Sequence, residues 1–168
     1  MVPGNGPCDS RIFFIGEAPG KDEDLQGQPF VGRAGKVLDD AISRAGSSRD
    51  RVFVGNLVKC KPTANRKPRR DEIEKCSVFL ESELREVSPK VVCALGQTAA
   101  NYLLNTRDKL SDLLGKDFQL AIAGKEFRLI VTFHPAACLY QRKNLKMFQE
   151  DVRRSLEAAG LVNKRLQK

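Results

Sequence analysis

Apolar positions along this chain follow two rhythms. In the first, nearly every residue of a short run is apolar, as in a strand covered on both faces. RIFFI at 11–15, RVFVG at 51–55 and KVVCAL at 90–95 have this form. In the second, apolar residues recur every three or four positions, as on one face of a helix. Ala34, Val37, Leu38, Ala41, Ile42 and Ala45 do so up to Gly46, and Ile73, Cys76, Leu80 and Leu84 do so over 71–86, with Pro68 near the start. A helix is expected over 97–104. Another spans about 144–159, with Leu145, Phe148, Val152 and Leu156 inward. Residues 118–122 and 127–133, joined around Gly124 and Lys125, read as a hairpin. Residues 1–10 read as an irregular lead-in, and the tail LVNKRLQK is expected to fray. Two long polar loops, 16–32 and 56–70, separate these elements. Loops of that length inside a compact domain usually serve function.

Strands alternating with helices predict an α/β fold. We expect a three-layer α/β/α sandwich on a central, mainly parallel four-stranded sheet, formed by residues 1–168 as a single domain. In such sheets ligands bind beyond the C-terminal strand ends. The strands here run out into GEAPG, GNLVKC, ALGQT and FHPAA, so polar residues gather on one rim.

Composition narrows the field. The chain has 168 residues, 41% of them hydrophobic and 30% charged, which suits one soluble domain. No apolar run is long enough for a membrane span, and no secretory leader opens the chain. Lys and Arg number 29 against 21 Asp and Glu, a net charge of +8 that suits a polyanionic partner, nucleic acid first. Five cysteines, at 8, 60, 76, 93 and 138, include no C-x-x-C pair and argue against a disulfide framework. A single histidine, His134, excludes a His-rich metal site.

Several constellations on the rim can carry chemistry. The glycine-rich turn at 16–20, with Glu17, Glu23 and Asp24 nearby, either cradles an anion or is a plain tight turn; it lacks the GK[ST] end of a P-loop. Phe30 lies in a glycine-flanked loop, where its ring stacks on a flat ligand or anchors the loop. Asn56, at a strand end, offers one acceptor and two donors to a base edge. Lys59, Lys61, Arg66, Lys67, Arg69 and Arg70 put six cations in twelve residues, as phosphate contacts or as a solvated loop. His134 ends a strand, where an imidazole can stabilise an anion forming on a bound ring. Cys60 and Cys76 alone cannot hold zinc or an iron–sulfur cluster, and Cys93 and Cys138 read as small buried hydrophobes.

In this order the motifs GEAPGKDED, GQPFVGRAGKVLD, GNLVKCKPTANRKP, VVCALGQTAA and HPAACL resemble the family 4 uracil-DNA glycosylases, from Val2 to about Val152. The resemblance implies a monomeric prokaryotic repair enzyme, cytoplasmic and associated with the nucleoid. It would hydrolyse the N-glycosidic bond of uracil in single- or double-stranded DNA and leave an abasic site. It implies that Phe30 stacks on uracil, that Asn56 reads its polar edge, and that His134 donates to O2 as negative charge builds. Glu17 and Ala18 would line the sugar side, Glu23 the C5 edge, and Leu139, within 136–140, would fill the gap left by the flipped nucleotide. Ala18 stands where family 1 relatives carry an Asp, so Glu17, Glu23 or anion stabilisation alone would have to serve the water step. No lysine is assigned to a Schiff base, and the second loop lacks the His of a DNA-crosslinking relative. The family also implies a [4Fe–4S] cluster on four cysteines. Cys60 and Cys76 match one pair, and the other pair, a CxxC, is absent from this chain. The open readings are a truncated chain, recruitment of another cysteine such as Cys8, or no cluster. The competing functions are a DNA-binding protein of the same fold without catalysis and a nucleotide-binding enzyme built on the GEAPG turn.

Overall fold

The computed structural model describes residues 1–162. Its elements are β1 (Ile12–Gly16), α1 (Lys21–Gln26), α2 (Arg33–Arg44), β2 (Phe53–Asn56), α3 (Arg70–Val87), β3 (Val91–Leu95), α4 (Gln97–Leu104), α5 (Leu110–Leu113), β4 (Asp117–Ile122), β5 (Lys125–Thr132) and α6 (Arg142–Ala158). The strands form one sheet in the order β2-β1-β3-β5-β4. β2, β1, β3 and β5 run parallel, and β4 pairs antiparallel with β5. The sheet therefore has five strands rather than four. Both arms of the hairpin join it because Ala123 and Gly124 each take a positive φ, 53° and 77°, the geometry of a tight two-residue turn.

The near-continuous apolar runs have a direct cause. Every residue of β1 and β3 is buried. Alternate side chains of β1 feed opposite faces. Ile12 and Phe14 pack with α2 and α6, through Leu38, Ile42, Phe148 and Val152. Phe13 and Ile15 pack with α3 and α4, through Leu80, Leu84, Ala99 and Leu103. Helices thus cover both faces of the sheet, and each fully buried Phe, Leu or Ile contributes about 1.5–3 kcal/mol relative to exposure.

The lead-in is irregular, as expected, apart from one antiparallel bridge between Asn5 and Val54 on the open edge of β2. Two expectations are corrected. The first long loop contains α1. Acidic Asp22, Glu23 and Asp24 suit that helix's N-terminus, and Gly27 in the left-handed region (φ 68°) ends it. At the C-terminus Leu161 is buried rather than frayed, while residues 163–168 of the tail lie outside the described residues.

Strand order reverses between β1 and β3, since β1 connects outward to β2 and β3 lies on its other side. A crevice beyond the strand ends is expected at such a switch point. Gly16 pairs in register with Asn56, and Leu95 with Thr132, so four strand ends come out on one rim. No helix of the described residues is long and apolar enough to cross a membrane.

Candidate active site

Gly16, the last residue of β1, lies beside Asn56, the last residue of β2. A Cβ on Gly16 would stand 2.6 Å from Asn56 Oδ1 and 2.6 Å from Phe30 Cζ. The missing side chain is what lets the carboxamide and the ring approach each other. Phe30 itself holds a strained left-handed conformation (φ 56°) that a non-glycine residue rarely adopts. Gly35, in the first turn of α2, packs directly against the Phe30 backbone: a Cβ there would meet Phe30 O at 1.9 Å.

Glu23 clasps the two loops together. Its Oε2 accepts from Gly20 N–H (3.2 Å), and its Oε1 from Val31 N–H (3.0 Å) and Gly32 N–H (2.9 Å). Three backbone donors on one carboxylate fix the turn after β1 against the loop that carries Phe30. Across the rim, Gly96 at the end of β3 (φ 94°) lies against His134, where a Cβ would be 3.0 Å from the histidine Cβ. His134 follows β5 and starts a short 3-10 turn, Pro135–Cys138. Its Nδ1 accepts from Ala136 N–H at 3.1 Å. A backbone N–H can only donate, so in the neutral ring the proton sits on Nε2, a free donor. Burial pushes the imidazole below its ordinary value of 6.5 and outweighs the opposing charges of Glu17 and Glu23. The Phe30 and His134 rings are 6.2 Å apart between centroids, inclined at 32°.

These groups surround a hollow of about 210 Å³ lined by Ala18, Gly20, Glu23, Phe30, Ala34, Asn56, His134 and Ala136. A water takes about 30 Å³ of liquid, so the hollow holds a ligand of several heavy atoms. Asn56 is 3% exposed, and its Oδ1 is buried with no hydrogen-bond partner. An orphaned acceptor of that kind costs stability and calls for a donor from a ligand. Ala18, Glu23, Phe30, Asn56 and His134, each singled out in the sequence, thus share one site, and Glu17 flanks it. Gly20, Ala34 and Ala136 were missed as lining residues, although two of them sit in the GEAPG and HPAA motifs.

The basic loop is different. Lys59 is not a surface cation: it is 1% exposed and bonded to Glu83 and to the Asn56 carbonyl. Its assignment to DNA is corrected, because an enclosed ammonium cannot reach a phosphate. Arg66 makes a two-pronged bond to Glu72, at 2.8 and 2.6 Å, and holds that carboxyl down at about 2. Arg69 pairs with Asp71 and Glu72, and Arg70 with Glu74. Lys61 and Lys67 make no ion pair among the described residues. Just beyond the 3-10 turn, Leu139 is half-buried and Tyr140 is 80% exposed.

Cys60 and Cys76 line a second hollow, of about 300 Å³, with Lys61, Arg66 and Lys75. They supply two of the four thiolates a [4Fe–4S] cluster needs. Among the described residues no three His, Cys, Asp or Glu side chains come together as a metal site. Cys8 does not complete the set: it bonds Glu86, ten residues along α3 from Cys76, about 15 Å at the helical rise. Burial pushes the Cys93 thiol up to about 12 and Cys138 to about 11, so both stay neutral core residues. The residues present do not fit a complete cluster.

The fold is a mainly parallel sheet with a hollow beyond its strand ends, where Phe30, Asn56 and His134 meet. The chain belongs to the uracil DNA glycosylase superfamily, whose sequence model matches residues 3–156, and within it to the type-4 group. It is 39% identical over 163 residues to the type-4 uracil-DNA glycosylase of Archaeoglobus fulgidus, covering 95% of this chain and 82% of that one. The type-4 enzyme of Saccharolobus solfataricus is 41% identical over 162 residues (94% and 75%), and that of Thermotoga maritima 38% over 145 residues (86% and 74%).

Two outcomes follow from this geometry. Gly16→Ala forces Asn56 and Phe30 apart and lowers turnover by about 100-fold, the scale of a 1 Å misplacement; single-turnover rates within threefold of the parent would contradict the packing described. For His134, the lowered value keeps the ring neutral at pH 6.5 and above. The folded protein protonates it later than the unfolded chain does. Its contribution to stability is therefore complete above the ordinary imidazole value and is lost as pH falls below it. Excision rates measured from about pH 8 to pH 5 stay level to below 6.5; a decline centred above 6.5 that vanishes in His134→Gln would contradict this.

Proposed function

We propose that this protein excises uracil from DNA by flipping the nucleotide, enclosing the base in the Phe30–Asn56–His134 hollow and stabilising the anion that departs. The observation that carries this reading is a buried Asn56 Oδ1 with no hydrogen-bond partner in the protein, on a residue that lines the hollow beside Phe30 and His134. Uracil presents an N3–H donor that satisfies that acceptor and an O4 that accepts from Nδ2. Cytosine presents an acceptor and an amino group in those places, which leaves like facing like and is rejected.

The remaining roles follow from the chemistry. Phe30 offers its face to the pyrimidine. As the C1′–N1 bond breaks, the bonding pair moves onto the base, and the fixed His134 Nε2–H meets the charge at O2. A neutral donor already in place acts mainly on the transition state. Water then adds to the oxocarbenium-like sugar carbon. Ala18 gives that side an apolar wall, and Glu23 is occupied by three backbone donors. We assign most of the rate to stabilisation of the anion, with Glu17 as the carboxylate free to aid the water step. Glu23, at the pocket wall, stands against the methyl group of thymine.

DNA would track along Lys61 and Lys67, with Arg66, Arg69 and Arg70 exchanging carboxylate partners for phosphates. Leu139 would fill the vacated stack from the turn that begins at His134. We take the protein to act as a monomer, with residues 1–168 as one domain. The type-4 relatives named above are prokaryotic, which supports action in the cytoplasm at the nucleoid.

The test is an oligonucleotide carrying one uracil, incubated with the protein and then treated with alkali. Strand cleavage is expected with the parent and is lost, by at least about 100-fold, in Asn56→Ala and in His134→Ala. Binding of the oligonucleotide without cleavage would establish a DNA-binding protein of the same fold instead.

A further inference from the structure

Lys59 is a charged side chain enclosed in the protein, and nothing in the excision chemistry uses it. Its ammonium donates to the backbone carbonyl of Asn56 at 2.9 Å and to Glu83 Oε2 at 2.7 Å. Glu83, on α3, uses its other oxygen to accept from Gly4 N–H at 2.7 Å. Val2 N–H donates to Lys59 O at 2.6 Å. The N-terminal segment thus bonds both members of the pair, with the Lys59 side chain 2% exposed and that of Glu83 15%. A continuous set of bonds runs from Gly4 through Glu83 and Lys59 to the residue whose side chain faces the base.

We propose that Lys59 is a positioning residue: its ammonium, held by Glu83 and the N-terminal strap, fixes the main chain of Asn56 so that the carboxamide keeps its place at the base edge. The proposal rests on the reading of Asn56 given above. Three points support it. Removing an ammonium and a carboxylate from water is expensive, and apolar residues of like volume usually serve stability as well or better. Besides Glu83, the ammonium bonds one backbone carbonyl, that of the discriminating residue. The Asn56 side chain also gains no hydrogen bond from the protein at Oδ1, so its place depends on its backbone and on the packing of Gly16 and Phe30. Leu57 N–H and Val58 N–H, bonded to Gly16 O and Glu17 O at 3.0 and 3.3 Å, tie the following residues to β1. Lys59 supplies the matching restraint from the α3 side.

The test separates positioning from stability. Lys59→Met combined with Glu83→Met removes both charges and leaves no unpaired ion, while Leu84→Ala, in the core face of α3, lowers stability without touching the chain of bonds. Tm, kcat for uracil excision and KM for the oligonucleotide are measured for each. The double variant is expected to melt near the parent yet to lose about 10- to 100-fold in kcat, with KM within about threefold. Leu84→Ala is expected to melt earlier and keep its kcat when assayed well below its Tm. Parental kcat in the double variant, or kcat that follows Tm in both, would overturn the proposal. If the double variant does not fold, Lys59→Arg decides: it keeps a cationic donor and retains kcat within about fivefold, whereas a folded Lys59→Arg with a larger loss would count against the proposal. Asn56→Ala in the same assay keeps the two readings apart. Full activity there defeats the site itself, and with it the role of Lys59; an inactive Asn56→Ala beside a fully active double variant defeats Lys59 alone.

Discussion

A carboxamide oxygen, an aromatic ring and a backbone carbon compete for the same few ångströms at the end of β1, and the site depends on the carbon giving way. Because Gly16 has no side chain, Asn56 Oδ1 and Phe30 Cζ both close over it. The parallel register that sets Gly16 beside Asn56 puts the competition there, and the strained turn at Phe30 keeps the ring in it. Gly35, Gly96 and the Glu23 clasp serve the same end, each holding one wall of the hollow where a bulkier or looser residue would move it. The cost is an acceptor left unsatisfied in the free protein, and on the proposed reading the N3–H of the base satisfies it.

Electrostatics are arranged around that hollow rather than spread over the surface. Burial and a backbone donor hold His134 neutral, with its proton directed away from Ala136. Much of the positive charge beside the site is committed. Arg66, Arg69 and Arg70 bind the acidic first turns of α3, and Lys59 is withdrawn into the fold. The loop from Asn56 to Arg70 is therefore a built structure on the α3 N-terminus. Exposed ion pairs of this kind contribute little to stability.

Much of this was legible in the sequence because burial on two faces and on one face leave different periods. β1 and β3 stand out as apolar runs, and α2, α3 and α6 as stripes; the four rim motifs follow from the strand ends. Other features left no such mark. The short α1 buries none of its residues, so it carries no apolar stripe. The edge strand β4 was legible as a hairpin arm, but its largely exposed residues gave no sign that it adds a fifth strand to the main sheet. The bridge from Asn5 to Val54 involves backbone groups, which composition does not report. Lys59 was misread for a plain reason. Among six cations in twelve residues, nothing local distinguishes the one whose partner, Glu83, lies on α3. Cys60 and Cys76 were read as a possible pair, and they do meet at one hollow, but their spacing says nothing of the further ligands a cluster requires.

The central claim is that Asn56 Oδ1 awaits the N3–H of a flipped pyrimidine. It is tested most directly by a crystal structure of the protein with uracil bound. The account predicts N3 at about 3 Å from Asn56 Oδ1, O2 turned to His134 Nε2, and the ring lying over Phe30. Uracil bound elsewhere, or seated in the hollow with Asn56 Oδ1 still unpaired, would contradict it.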